Sequence, residues 1–530
     1  MATRGEAGTL AGKGGVPLFT AGLVAVAAAW FAFLLVSNRV VIDDAYISFR
    51  YLDNWLGGRG LVYNAGDRVE GYTNFLWIAA LAPLRLMGLA PEAASFGLAL
   101  AALTLLLWAV SSAAASLAGS RAAGILAVLL ALSSGSLAFW TGSGMETVLF
   151  AALLALANAS LARRGRLTVP AALLFGLAVL TRPDGVLFFA AAFLAFALPA
   201  AGGVPGGARG LFRAAAAFSV LPALQVLLRV WYYGEWLPNT FYAKATGIEA
   251  DLLAPGLGYL ADFLRSGGVV PLVAAAAVFL VRAGRSRTAV AVALQTVFQA
   301  AYTVKIGGDS FPLFRFLLPL LPGFAVLGGC ALHGLLARAK KAERWWAPAL
   351  VVPFALLAAH LDERTSQPGK IAVLRANGAE REAITSWIAA AHPAARSLAV
   401  NAAGLIPYRT GLVTTDMLGL TDRHIARVRV SAREEGTRFT GHFKHDGRYV
   451  LGRSPDIVLI GGATLWSGRD PKEVIRRAGR TAFTGDREFI AAAVEAGSYR
   501  VTADEVLPGE YAVALMKPEL LGAGAGDARP

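Results

Sequence analysis

VPLFTAGLVAVAAAWFAFLLVSNRVVIDDAYISFR, residues 16–50, runs from an apolar stretch straight into two adjacent aspartates. The apolar part, Val16–Ser37, is about 20 residues long, enough to cross a bilayer and more than the core of a cleavable signal peptide. It reads as an uncleaved first membrane helix, with Arg4 and Lys13 on the cytoplasmic side. Asp43 and Asp44 then stand at the opposite membrane edge. Neighbouring carboxylates repel, and a divalent cation, a basic partner or a raised pKa on one acid relieves the repulsion. One reading of the pair is a general base or metal ligand; the plainer one is a solvated acidic loop end.

The rest of the 530 residues agrees with a membrane setting. Apolar residues make up 56%, charged residues 16%, and mean hydropathy is +0.55. Residues 361–530 carry 43 charged side chains, the density of a water-soluble domain, whereas 1–360 carry only 41. The chain therefore divides into a membrane domain, 1–360, and a mixed α/β domain, 361–530. The net charge of +14 splits as +11 and +3 between them. The basic residues lie between apolar runs, where the positive-inside rule accounts for them, so no nucleic-acid partner is expected. One cysteine, Cys330, excludes an intrachain disulfide, and with six scattered histidines it cannot build a zinc or iron–sulfur site.

Further spans read at roughly 74–90, 93–117, 122–141, 146–161, 168–181, 185–200, 211–230, 268–282, 288–304, 312–338 and 345–360. Ten to twelve crossings are expected. Four basic clusters, at 163–166, 209–213, 282–287 and 338–344, are each separated by two crossings and so share the cytoplasmic side. The domain after 360 then lies outside. Counting back from Arg163 through every span puts the 38–73 loop on the wrong side, so one segment within 74–141 does not cross. The weakest is 74–90, which contains Pro83 and Arg85.

With that orientation the unusual polar motifs gather on the outer face. The loop 38–73 carries Tyr46, Arg50, Glu70 and Tyr72, and Asn74 follows it. Its glycines at 57–60 lack the context of a phosphate loop. Glu146 in GSGMET and Arg182 and Asp184 in TRPDG cap apolar runs; ionisable residues there are functional candidates, with a helix-end charge and a local ion pair as the plainer readings. In RVWYYGEWLPNTFYAK, residues 229–244, the headgroup belt explains the aromatics but not Asn239, Tyr242 and Lys244. KIGGDSFPLFR, residues 305–315, brings Asp309 and Arg315, and arginine grips phosphate oxygens well. Arg182, Lys244 and Arg315 are thus candidates for a lipid phosphate. A carboxylate beside these cations suits attack of a hydroxyl on an anomeric carbon whose leaving group is that phosphate.

In the outer domain Glu380–Ala391 reads as helix, and Ser397–Asn401, Tyr449–Leu451, Ile457–Ile460 and Tyr511–Met516 read as strands. The turns suggest a small doubly wound sheet. No dinucleotide fingerprint is present. Asp416, Asp422 and His424 either line an acceptor groove or serve turns and caps.

The ordered pieces DDAYISFR (43–50), EGYTN (70–74), SGMET (143–147), RPDG (182–185), LPNTFYAK (237–244), GGD (307–309) and RFLLP (315–319) resemble the GT-C integral-membrane glycosyltransferases. Within them, the mycobacterial terminal arabinofuranosyltransferase group and its bacterial relatives are most similar. The resemblance implies a mainly α polytopic fold of about 10–12 transmembrane helices with a C-terminal extracytoplasmic α/β domain, in a bacterial inner membrane. It implies a polyprenyl-phosphate sugar donor, arabinofuranose first and a hexose second. The acceptor would be an envelope polysaccharide, a lipoglycan or a surface protein. By the same resemblance Asp43 or Asp44 is the catalytic acid/base, and the other holds a metal (Mg, Mn or Ca, if any) or acceptor hydroxyls. Tyr46, Arg50, Glu70, Tyr72, Asn74, Glu146, Asp184, Asn239, Tyr242, Asp309 and His424 are the expected substrate contacts. A lipid-linked sugar flippase is the alternative of another class; it predicts internal repeats and charges within the spans, which the sequence does not display.

Overall fold

The structure is a computed structural model; it describes residues 18–198, 203–244, 252–266, 286–338, 369–429, 444–468, 470–481 and 483–521. The spans expected at 268–282 and 345–360, and the domain boundary at 360, lie outside the described residues. The membrane part is a helical bundle. In order it contains α1 (Leu18–Asn38), α2 (Asp43–Leu56), α3 (Phe75–Leu86), α4 (Pro91–Ala118), α5 (Arg121–Leu132), α6 (Gly135–Thr141) and α7 (Thr147–Arg164). There follow α8 (Val169–Thr181), α9 (Gly185–Ala197), α10 (Gly207–Tyr233), α11 (Asn239–Lys244), α12 (Leu253–Arg265), α13 (Arg287–Lys305) and α14 (Leu321–Leu336).

Among the described residues, five helices are long and apolar enough to cross a membrane, and a sixth span is formed if a bent pair counts as one. These spans have the two-sided burial that a lipid setting permits. α10 leaves Phe212, Leu227 and Trp231 exposed at 74%, 65% and 79%, apolar surface that only lipid can cover favourably. α4 packs its alanine-rich face, Ala99, Ala102, Ala109, Ala113 and Ala114, against α5 and α7. Small side chains let the helix backbones approach closely where no hydrophobic force drives association.

Among the described residues five or six spans are fewer than the ten to twelve crossings expected: the segments at 74–90, 168–181 and 185–200 form helices of 12, 13 and 13 residues, and two further spans are reshaped. The single span at 122–141 is broken: α5 and α6 meet at 70°. Ser134 caps α6 by accepting from the Leu137 amide at 3.1 Å, and the Ser133 hydroxyl turns back to the Leu130 carbonyl at 2.7 Å. The Ser-Ser-Gly step offers the backbone alternative partners, which ends one helix and starts another. The span at 312–338 begins late, after a short 3-10 turn at Leu318–Leu320, because Leu313 and Phe314 hold left-handed φ values of 57° and 54°.

Asn74 at the start of α3 hydrogen-bonds Ser48 of α2 at 3.0 Å, and Arg85 near its end pairs with Asp53 of the same α2 at 2.8 Å. α3 therefore runs alongside α2. At 12 residues α3 is about 18 Å long, well short of the hydrocarbon core. α4, at roughly 42 Å, is long enough to cross.

The C-terminal domain opens with α15 (Lys370–Ala391) and continues β1 (Ser397–Val400), α16 (Leu405–Thr410), β2 (Val413–Asp416), α17 (Gly447–Arg453), β3 (Ile457–Leu459) and β4 (Trp466–Ser467). It closes with α18 (Pro471–Thr481), α19 (Thr484–Ala496), β5 (Arg500–Leu507) and β6 (Glu510–Met516). The sheet order is β2-β1-β3-β6-β4, with β5 pairing β6; β2, β1 and β3 are parallel, and β6 is antiparallel to β3 and β5. The expected strand at Tyr449–Leu451 is instead the helix α17. Asp446 caps it by accepting from the Tyr449 amide at 2.8 Å, a start signal strong enough to override a short apolar run.

Single cysteines placed at Ala65, Ala93 and Arg164 in a Cys330→Ser background test this topology. Ala65→Cys and Ala93→Cys should react with a membrane-impermeant maleimide from one side and Arg164→Cys only from the other. Opposite labelling of the first two would make α3 a crossing helix.

Candidate functional site

The site is built where α2 meets the bundle. The Ile42 amide donates to the Ser143 carbonyl at 3.1 Å, seating the start of α2 on the turn between α6 and α7. That turn needs Gly144: its φ is +80°, and a Cβ there would meet Ala45 and Val41 at 3.0 Å. Asp43 and Asp44 are the first two residues of α2, so they point about 100° apart around its axis.

The two acids have different surroundings. Asp43 accepts the amides of Gly404 and Leu405 at 3.0 and 2.9 Å and pairs with Arg381 at 3.6 Å, all three from the C-terminal domain. Asp44 has no hydrogen bond or ion pair among the described residues. Burial pushes its carboxyl above the usual carboxylate range, and Arg315 and then Lys244 oppose that shift. The twin acids thus do not converge on a shared cation site. Among the described residues no group of three or more His, Cys, Asp or Glu is placed to hold a metal ion.

Two buried arginines belong to this cluster, Arg315 beside Asp44 and Arg182 beside Arg315 and Lys244, and each is already paired. Arg315 holds Asp309 through two contacts, 2.8 and 3.1 Å, between Phe311, Phe316 and Trp140 at 4.8, 5.2 and 5.7 Å from their ring centres. The strained pair Leu313 and Phe314 delivers Arg315, and the Leu313 carbonyl is pinned by Ser136 at 2.6 Å and Trp140 at 3.1 Å. Bulky residues in left-handed backbone cost about 1–3 kcal/mol each and persist where the surroundings over-determine them. Arg182 pairs with Asp184 at 3.1 Å and with Glu146 at 3.4 Å. Glu146 in turn accepts from Asn74 at 3.0 Å, and Asn74 bonds Ser48, which returns the chain of contacts to α2.

Lys244 is the third cation of this cluster. It ends α11 with an exposed surface, while its ammonium is enclosed enough that burial, and then Arg315, push its pKa down; Asp44 and Asp309 oppose. Like Asp44 it has no ion-pair partner among the described residues. Among the described residues, one acid and one cation that influence each other's charge thus hold no ion pair, amid groups that are paired.

Other expected contacts are ties rather than lining. Arg50 donates to the carbonyls of Tyr63, Pro407 and Leu412 and to Asn64, using its guanidinium to clamp the loop onto the C-terminal domain. Glu70 forms a buried bidentate pair with Arg229. Tyr72 shares a hydroxyl contact of 3.1 Å with Tyr233, and Tyr46 packs on Tyr408 at 5.5 Å. The Asn239 amide donates to the carbonyls of Gly419, Leu420 and Asp422 at 2.9–3.1 Å. Tyr242 lies under Arg427 at 4.4 Å. His424 is exposed, stacked on Tyr449 at 4.0 Å and bonded to Asp446 at 2.8 Å. Asp416 caps its own turn through the Leu418 and Thr421 amides, and burial pushes it up to about 6.

Sequence reading missed Gln299, which is fully buried and donates to Asp184 at 3.1 Å and to the Phe316 carbonyl at 2.8 Å. It thereby joins the two arginine pairs. Gln295 and Gln299, four apart within an apolar run, were the available signal, since such a pair shares one helix face. Tyr259, whose buried hydroxyl lies by the Phe316 backbone, and Arg381 had no local signal.

Residues 371–513 match a family described as a domain of unknown function (DUF8728). Over 341 residues the chain is 29% identical to a terminal beta-(1->2)-arabinofuranosyltransferase of Mycobacterium tuberculosis (strain ATCC 25618 / H37Rv), covering 53% of this chain and 52% of that protein. The chain thus spans about half the length of this curated relative. Its fold is similar to the crystal structure of ArnT from Cupriavidus metallidurans bound to undecaprenyl phosphate, with a TM-score of 0.58, 14% identity and coverage of 96% of this chain and 99% of that one. The apo state of the same ArnT superimposes with a TM-score of 0.53 over the same shares. The chain therefore has the GT-C fold.

Glu70→Gln should leave Arg229 buried without its counter-charge, lowering stability by about 3–5 kcal/mol. Thermal unfolding of the detergent-solubilised protein measures this; an unchanged melting temperature would show that the pair is not a structural tie.

Proposed function

We propose that this chain is a membrane glycosyltransferase that takes a sugar from a polyprenyl phosphate and transfers it to a hydroxyl of an envelope acceptor. The observation that carries the reading is that Asp44 and Lys244, which influence each other's charge, both lack an ion pair among the described residues, with Arg182 and Arg315 held close by. The likeness to an arabinofuranosyltransferase and to an undecaprenyl-phosphate-bound fold relative supports the same choice. Arabinofuranose is the preferred sugar, with a hexose second. The acceptor is a polysaccharide, a lipoglycan or a surface protein on the extracytoplasmic face, where activated sugars arrive on lipid.

In the reaction an acceptor oxygen forms a bond to the anomeric carbon while the bond from that carbon to the phosphate oxygen breaks. Asp44 takes the acceptor proton. Its raised pKa makes it a stronger base than an ordinary aspartate, provided it is ionised. The departing lipid phosphate gains negative charge. Lys244, without an ion pair among the described residues, meets that charge directly, and Arg315 and Arg182 add their fields through pairs they already hold. Those pairs also keep both guanidiniums oriented before substrate arrives, so little rearrangement accompanies the reaction.

Purified protein incubated with synthetic polyprenyl-phosphate arabinofuranose, a hexose-loaded lipid and candidate acceptors, read by mass spectrometry, tests the proposal. Asp44→Asn should reduce transfer by about 10²–10⁴-fold. Lipid transport without any glycosidic product would replace the reading with a flippase.

The base must be ionised, so kcat is present above the pKa of Asp44 and falls as pH drops through it. The acid limb should lie above the ordinary aspartate value of about 3.9. Lys244→Met removes a charge that lowers this pKa, so the limb should move to higher pH. A limb that moves down, or stays fixed, would separate Lys244 from Asp44.

A further inference from the structure

Resting on that reading, we infer that the twin acids divide the work: Asp44 is the reacting carboxylate, and Asp43 is a positioning residue through which the C-terminal domain sets its neighbour's direction. The domain matched as one of unknown function thereby acquires a role as a built-in part of the active site.

The contacts that carry this are specific. Both Asp43 oxygens accept amides, Oδ2 from Gly404 and Oδ1 from Leu405, and Arg381 of α15 adds its charge at 3.6 Å to Oδ1. A carboxylate can satisfy two converging N–H donors because it only accepts; an asparagine would turn one donor against another. Gly404 is required at that point, since a Cβ there would overlap the backbone oxygen and carboxyl carbon of Asp43. The same turn is held from the membrane side, where the Tyr63 hydroxyl donates to the Ala403 carbonyl at 2.6 Å. On its other flank the start of α2 is fixed by the Ile42 amide on Ser143. The first turn of α2 is thus clamped between the bundle and the C-terminal domain.

Asp44 follows Asp43 directly and has no hydrogen bond of its own among the described residues. Its direction therefore depends on the backbone of that first turn. Released from Gly404 and Leu405, the turn would lose its anchor on the domain side, and Asp44 would lose its aim at the Arg315 and Lys244 cluster. Misplacing a reacting group by about 1 Å costs roughly a hundredfold in rate.

The test uses the full chain with Asp43→Asn, Gly404→Ala, Arg381→Ala, Arg381→Lys and Asp44→Asn. Asp43→Asn and Gly404→Ala should each lower kcat by roughly a hundredfold with the donor KM unchanged and the acid limb of the pH profile retained. Their double variant should be no worse than the poorer single, because both break one contact. Arg381→Lys should recover rate lost in Arg381→Ala. Asp44→Asn should remove the acid limb itself. Hydrogen exchange supplies a readout independent of activity: the Gly404 and Leu405 amides should exchange faster in Asp43→Asn than in the unaltered protein, with β1 and β3 unchanged, and should stay protected in Asp44→Asn. Full kcat in Asp43→Asn, loss of its acid limb, or unchanged exchange at 404 and 405 would each overturn the division of roles. Absence of glycosyl transfer by the unaltered protein would instead sink the functional reading, and the exchange result would still decide whether the latch exists.

Discussion

Pairing of charge in a poorly solvated place governs this molecule. At one end of an apolar bundle lie Arg182, Arg315 and Lys244 together with Asp44, Glu146, Asp184 and Asp309. Isolated charges there would be costly, and two arginines escape the cost by taking carboxylates as permanent partners. The aromatic rings of Trp140, Phe150, Phe311 and Phe316 flank them, which keeps water away while offering ring faces to the guanidiniums. What such pairing leaves over is informative. Among the described residues one carboxylate and one ammonium stay unmatched, and groups that a fold declines to satisfy are where chemistry is most readily placed.

The C-terminal domain joins the bundle through an apolar seam, with Ala403 and Leu405 in the bundle's core and Tyr408 on Tyr46 and Phe49, and through polar contacts around it. Asp43, Arg50, Tyr63, Asn64 and Asn239 each reach a backbone group of that domain. Backbone partners have fixed positions, so these bonds set register as well as strength. Around them, Tyr408 meets Asp53 at 2.8 Å, and Arg409 spans Glu92 and Glu382 at 2.8 and 3.2 Å. Several residues that look like substrate contacts in the sequence turn out to hold this joint.

The errors of sequence reading share one cause. Asp446 and Ser134 are single capping residues, each able to redirect a short apolar run, and their effect depends on backbone that a hydropathy pattern does not describe. The segment at 74–90 was the better case. Its proline, its arginine and the parity of the basic clusters all argue against crossing, and the helix formed there, Phe75–Leu86, is short and ties Arg85 to Asp53. Gln299 stands between these cases: its spacing from Gln295 marks a polar face, yet only the packed helices reveal that this face touches Asp184.

Sequence alone determined that the chain is a polytopic membrane protein with a soluble C-terminal domain, because hydrophobicity and charge density are local quantities summed over segments. It also determined which ionisable side chains are out of place in such a setting, and so drew up the list from which a site must come. Tertiary structure decided which members of that list meet. Whether a carboxylate is free or already bonded depends on residues hundreds of positions away, as Asp43 depends on Gly404 and Leu405. Two adjacent aspartates are chemically identical in a string of letters; the turn of a helix, sending one to the domain and the other to the bundle, makes them different.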